Sequence, residues 1–172
     1  MPPPRSIDVA ALYDAHAELV WKALHRFGVR SADAPDLLQE VFLVAHRRRD
    51  EIDASRPMEP FLWGIALGLA RNYRRRAFRR HEELSADADL DARSDDGIER
   101  RELRRRIARA LDALDPEKRA AFVMFEIEGM SGAAIAALEG VPIGTVGSRL
   151  AAARRELSAL LADERDDARR ST

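Results

Sequence analysis

The chain contains no cysteine among its 172 residues. That absence excludes disulfide staples and thiolate metal sites, and it suits a reducing cytoplasm. Long apolar runs are missing as well. None approaches the roughly 20 residues needed to cross a bilayer, so no membrane insertion is expected. The Pro-rich start, Met1 to Arg5, is not followed by an apolar stretch of the kind a secretory leader carries. A soluble, cytoplasmic protein is the expectation. No glycine-rich phosphate loop occurs, and no segment alternates with the period of a strand. His16, His25, His46 and His81 share no metal-ligand spacing, and Glu126 and Glu128 form no recognisable acid/base pair. Catalysis, a cofactor and a metal are therefore not expected. His16, on an apolar stripe, reads as a hydrogen-bonded core residue.

Net charge is nearly absent, at −1, but it is unevenly spread. Residues 1–80 carry 14 Lys/Arg against 10 Asp/Glu, a net +4; residues 81–172 carry 15 against 20, a net −5. An acidic half argues against a sequence-blind DNA coat, although a local basic stripe can still bind nucleic acid.

What is present is helical periodicity. Val9, Leu12, Tyr13, His16, Leu19, Val20, Ala23, Leu24 and Phe27 recur at three- and four-residue steps, with Gly28 placed to stop that helix. Pro35 favours the first turn of a second helix, whose stripe is Leu38, Val41, Phe42 and Ala45 and whose last turn is His46 to Arg49. Residues 50–60, with Pro57 and Pro60, are expected as a loop. A third helix starts at Phe61, shows Ile65, Leu69 and Tyr73 on one side, and runs into the arginine-rich stretch Arg71–Arg80. Residues 81–98 are polar, acidic and poor in apolar side chains, the composition of a flexible linker. Glu99–Leu114 is helical again, with Ile98, Leu103, Ile107, Ala110, Leu111 and Leu114 as its expected buried side. Asp115-Pro116 caps the next helix, which Gly129 ends. A short helix then runs from Ser131 to Glu139, and after Gly140-Val141-Pro142 a last one from about Ile143 to Leu161. The fold class is all-α: two small helical bundles, residues 1–80 and 99–172, joined by an acidic linker at 81–98.

The stretch Ser131–Leu150 matches a helix-turn-helix. Ala136 is small where two helices must cross, Gly140 can take the left-handed turn, and Val146 fills the angle between the helices. Thr145, Ser148 and Arg149 then face outward near a helix N-terminus, where free N–H groups favour phosphates and side chains can read bases. An ordinary αα-hairpin would use the same residues for packing. The arginines of 71–80, interleaved with Tyr73 and Phe78, suit phosphates and unstacked bases, or simply a solvated basic helix end. Trp63 and Phe61 read as core. Gln39-Glu40 is either a solvated face or a docking surface.

Taken in order, these segments resemble sigma factors of the extracytoplasmic-function group. Asp36-Leu37-Leu38-Gln39-Glu40-Val41-Phe42-Leu43 is similar to that family's polymerase-binding helix. Pro60 to Ala66 resembles the opening of its promoter-melting helix, and Leu114 to Arg119 the start of its C-terminal domain. Glu128 to Ser131, with Ile135-Ala136 and Gly140 to Val146, is similar to its promoter-reading element. The resemblance implies that Asp36, Leu37, Gln39, Glu40 and Leu43 dock on core RNA polymerase. It implies that the loop Ile52–Pro60 with Arg71, Asn72, Arg74 and Arg75 holds melted promoter DNA. Thr145, Ser148, Arg149 and Arg154 would contact the distal promoter element as duplex. It also implies an acidic linker in the polymerase's RNA channel and an anti-sigma factor as partner. Departures from the family pattern are Leu67-Gly68 in place of Arg-Asn, and Gly147 in place of Lys, which also weakens the helix by about 1 kcal/mol against Ala. An acidic residue is missing at Ala134, and Ala151 and Ala152 replace polar or basic positions. Two alternatives stand beside this reading: a helix-turn-helix regulator that never joins polymerase, and a degenerate sigma-like protein acting through protein–protein contacts.

Overall fold

A computed structural model describes residues 8–53, 55–79 and 98–170, without the side chains of 78, 98, 99 and 163–170. The expected linker at 81–98 falls outside the described residues except for Ile98, which opens a helix. Helix α1 (Val9–Arg26) starts where the Asp8 carboxylate accepts the N–H of Ala10 at 2.9 Å. It stops at Phe27 and Gly28, whose N–H groups return to the carbonyls of Ala23 and His25. Gly28 has φ +92°, the left-handed region that favours glycine, and the Arg74 guanidinium occupies the space that a Cβ would take.

Helix α2 (Ala34–Arg47) places Pro35 in its first turn. A short 3₁₀ turn (Arg49–Glu51) follows, and α3 (Glu59–Arg79) begins two residues earlier than expected. Pro60 belongs to its first turn rather than to the loop, because a first-turn residue has no intrahelical N–H bond to lose. Val20, Ala23, Leu24, Val41, Ala45, Leu62 and Ala66 are fully buried between the three helices.

The second half contains α4 (Ile98–Asp112), α5 (Pro116–Phe122), α6 (Gly132–Glu139) and α7 (Ile143–Arg170). Helix α5 widens into a π-helical turn at Val123–Ile127, which the Glu128 N–H closes on the Val123 carbonyl at 3.0 Å. Helix α7 is longer than its apolar stripe. The polar residues after Leu161 contain no Gly or Pro to end it. One expectation fails on α4: Leu103 and Ile107 are 51% and 41% exposed, while Ala108, Ala110 and Leu111, with Leu114 just beyond the helix, are buried. The apolar cluster that joins α4 to α7 starts at Ala110, so Leu103 is no part of it, and Ile107 lies on the wall of an open groove. His16 is only half-buried, and the buried histidine is His25, edge-on to Trp21 at 4.9 Å. Trp63 is core, as expected, and Phe61 is half-buried under the Arg48 guanidinium.

A small apolar cluster joins α4 to α7 through Leu111, Leu114, Ala153 and Leu157. The larger cluster is continuous across both halves, taking Leu24, Val41 and Leu62 from the first and Met124, Ile135, Val146 and Leu150 from the second. Each such large side chain, fully buried, contributes about 1.5–3 kcal/mol.

Asp115 caps α5 by accepting the Glu117 N–H at 3.1 Å. A hydrogen bond from the Glu117 carboxyl, with that N–H, holds the Asp115 carboxyl below the usual carboxylate range. The same pairing, together with burial, pushes Glu117 up. Asp115→Ala should lower stability by about 1 kcal/mol, measured by urea unfolding at neutral pH. A depressed carboxylate contributes stability above its unfolded pKa and loses it as pH falls through the folded one. The difference between wild type and variant should therefore shrink on acidification below the ordinary aspartate range. A gap that is unchanged in acid would exclude an ionised cap.

Candidate nucleic-acid interface

Residues 131–150 form two crossing helices. Ser131 Oγ accepts the Ala134 N–H at 3.1 Å, so half of a capping box survives without the acidic partner. Gly140 turns the chain at φ +67°, and the Val141 N–H closes on the Ala136 carbonyl at 3.1 Å. Ile135 and Val146 are buried where the helices meet. This is the helix-turn-helix geometry, not merely a hairpin. At the start of α7, Gly144, Gly147 and Ser148 are exposed and Thr145 is half-buried. Ser148 Oγ donates to the Gly144 carbonyl at 3.0 Å.

Of the arginines singled out in the sequence, Arg71, Arg74, Arg149 and Arg154 are tied to carboxylates. Arg149 pairs with Glu139 of α6. Arg154 reaches Glu126 with Nε at 2.8 Å and Nη2 at 2.5 Å, and lies over the Phe125 ring. On α3, Arg71 Nη2 donates to Glu139 Oε1 at 3.0 Å, and Arg74 Nη1 stands 3.7 Å from Asp112 Oδ1. The Arg74 distance is an ion pair without a hydrogen bond. Asn72 and Arg75 are exposed and joined to each other, Arg75 Nη2 donating to Asn72 Oδ1 at 3.0 Å. Tyr73 is no bare stacking platform. Its hydroxyl donates to Asp33 at 2.6 Å and accepts from Arg30 at 3.0 Å, and burial, then Asp33, push its pKa up.

Sequence reasoning missed the acids and the two arginines, Arg26 and Arg119, that join the halves. Arg26 meets Glu128 at 2.5 Å. Arg119, 3% exposed, pairs with Asp112 and donates Nε to the Arg26 carbonyl at 2.5 Å and Nη2 to the His25 carbonyl at 3.3 Å. Both carbonyls end α1; His25 also accepts the Gly28 N–H, and Arg26 has Arg119 as its donor. No short-range pattern could have signalled these contacts.

The face of α2 bearing Asp36, Gln39, Glu40 and Leu43 is exposed, with Leu43 at 52%. These positions fall at i, i+3, i+4 and i+7, one stripe of a helix. Leu37, at the edge of that stripe, packs partly into the core. An open apolar groove of about 510 Å³ lies between α4, α5 and α7, lined by Ile107, Leu111, Phe122, Ile127, Leu157 and Leu161 among others. Among the described residues there is no His/Cys/Asp/Glu cluster that could hold a metal, and no helix long and apolar enough to cross a membrane.

Residues 12–80 match the family model for Sigma-70 region 2, and residues 104–157 the model for Sigma-70 region 4. The chain is 32% identical over 157 residues to the RNA polymerase sigma factor CnrH of Cupriavidus metallidurans, covering 85% of this chain and 82% of that protein. The ECF RNA polymerase sigma-E factor of Escherichia coli K12 is 30% identical over 141 residues, 75% of this chain and 74% of the other. The chain belongs to the extracytoplasmic-function sigma factors. Its function is to direct RNA polymerase to promoters for transcription initiation, and the family is not an enzyme class. The solved structure of CnrH in complex with the cytosolic domain of CnrY is similar, with a TM-score of 0.65, 30% identity and coverage of 90% of this sigma factor and 88% of that chain. The sigma factor RpoE of Bartonella quintana, solved with the anti-sigma factor NepR, shares the fold at a TM-score of 0.66 and 20% identity, covering 89% and 96%. The region 2 match spans α1 to α3, which separates this sigma factor from helix-turn-helix regulators that never join polymerase.

Proposed function

We propose that this sigma factor holds core RNA polymerase through the exposed stripe of α2 and reads promoter DNA at two places. Residues 1–80 form the polymerase-binding and melting module, 81–98 an acidic tether through the RNA channel, and 99–172 the module for the distal element. Asp36, Gln39, Glu40 and Leu43 make the docking contacts, with Leu37 positioning them from the core side. Asn72 and Arg75, then Arg71 and Arg74, engage melted DNA, where unstacked bases can be read directly. Thr145, Ser148, Arg149 and Arg154 contact the distal element in the major groove. No bond is made or broken by this chain, and it acts in the cytoplasm.

The observation that carries this reading is one chain with a bare α2 stripe and a helix-turn-helix whose reading helix starts at the surface. An anti-sigma protein is a further partner in this reading. Its support is the relative CnrH, solved with the cytosolic domain of CnrY, and the exposure of Ile107 and Ile127 on the wall of an apolar groove.

The test is transcription with purified core polymerase, the chain and genomic DNA, followed by sequencing of transcript 5′ ends. The expected result is a set of start sites sharing two upstream elements and absent without the chain. Identical start sites with and without it would refute the assignment.

A further inference from the structure

Arg71 and Arg149 come from opposite halves of the chain and 78 positions apart, yet they meet at one carboxylate. Glu139 Oε1 accepts from Arg71, and Oε2 pairs with Arg149. The Glu139 side chain is 1% exposed, while the arginines are 35% and 22% exposed. Two guanidiniums converging on one anion is also how a protein grips a phosphate. Around this point the halves are packed: a Cβ on Gly64 of α3 would sit 3.3 Å from Leu138 of α6. Arg26–Glu128 and Arg74–Asp112 are further charge pairs across the same junction.

We propose that Glu139 is an internal stand-in for a promoter phosphate, latching α3 to the helix-turn-helix so that the closed chain masks its own DNA-contacting arginines. This rests on the reading of Arg71 and Arg149 as DNA contacts. In the closed chain, α3 and α6 occupy each other's surface, and a phosphate near Arg71 or Arg149 must first displace Glu139. Only the open fraction binds DNA, so the apparent affinity falls by that fraction. Docking of polymerase on the α2 stripe leaves the latch untouched, since none of Asp36, Gln39, Glu40 and Leu43 takes part in it. The chain can therefore be recruited closed and opened afterwards.

The test uses the full chain. Because cysteine is absent, Ala15→Cys and Ala159→Cys, both at exposed sites on opposite halves, give unique positions for a donor and an acceptor dye. Glu139→Gln should lower energy transfer and tighten binding to a short fluorescein-labelled DNA duplex by roughly tenfold, as a mostly closed population opens. Arg26→Ala breaks a different clasp and removes a cation, so a fall in transfer with tighter duplex binding there is no simple charge effect. If Glu139→Gln loses helix content by circular dichroism, Arg26→Ala decides alone. Unchanged transfer in a folded variant, or lower transfer without tighter binding, overturns the latch. The underlying reading fails separately: adding Arg71→Ala and Arg149→Ala to the opened variant must abolish the gain. A gain that persists without both arginines means that they are not DNA contacts.

Discussion

Replacing Arg119 with alanine is expected to lower the unfolding free energy by about 3–5 kcal/mol, the range for removing one partner of a buried ion pair. The Arg119 side chain is 4% exposed and serves both halves. It pairs with Asp112 on α4 and donates to the Arg26 and His25 carbonyls at the end of α1. Burial pulls its pKa below the ordinary arginine value, and Asp112 opposes that pull. Removing it leaves a half-buried carboxylate with only the longer contact to Arg74, and leaves the Arg26 carbonyl at the negative end of a helix without a donor, while the His25 carbonyl keeps the Gly28 N–H. Arg119→Lys should recover only part of the loss, because an ammonium keeps the charge but not the planar fork. Urea unfolding measures both. Since the contacts cross the junction, Arg119→Ala should also lower energy transfer between dyes at positions 15 and 159. A loss below about 1 kcal/mol would show that water replaces the guanidinium without penalty, as at a surface pair.

Glu40→Arg is expected to weaken binding to core polymerase by about a hundredfold while leaving the fold intact. Loss of a charge contact in a protein interface commonly amounts to 2–5 kcal/mol, whereas an exposed substitution away from caps and cores changes stability by about 0.5 kcal/mol or less. Glu40 is exposed on α2, and the new arginine would face Asp36 one turn earlier, which favours the helix. Polymerase pull-down and thermal melting together check the separation of the two effects. Leu37→Ala lacks that separation, because Leu37 also packs against the core. Retention of Glu40→Arg on polymerase at wild-type strength would remove α2 from the docking surface.

Much of this molecule was legible before any coordinates. Helix α1 announces itself by apolar residues at three- and four-residue steps. The helix-turn-helix is written locally in Ser131, Gly140 and Val146, whose cap, turn and plug involve neighbours within a few residues. The bare stripe of α2 is also periodic, since Asp36, Gln39, Glu40 and Leu43 fall on one face whatever surrounds them. Where local rules failed, a partner was missing or a rule was balanced. Leu103 and Ile107 look buried by period but stay exposed outside the cluster that joins α4 to α7. Pro60 serves equally as loop residue or first-turn residue, and only the packing of Phe61 and Leu62 chooses between them.

The candidate site divides in the same way. Which arginines ride on α3 and α7, and toward which side of each helix they point, follows from helical pitch, a local property. What those arginines hold depends on how the halves pack. Arg71 finds Glu139 at a separation of 68 residues, and Arg119 finds the end of α1 at 93 and 94. Periodicity carries information over a turn or two, while an ion pair across a junction depends on how two bundles close on each other, which no single segment encodes.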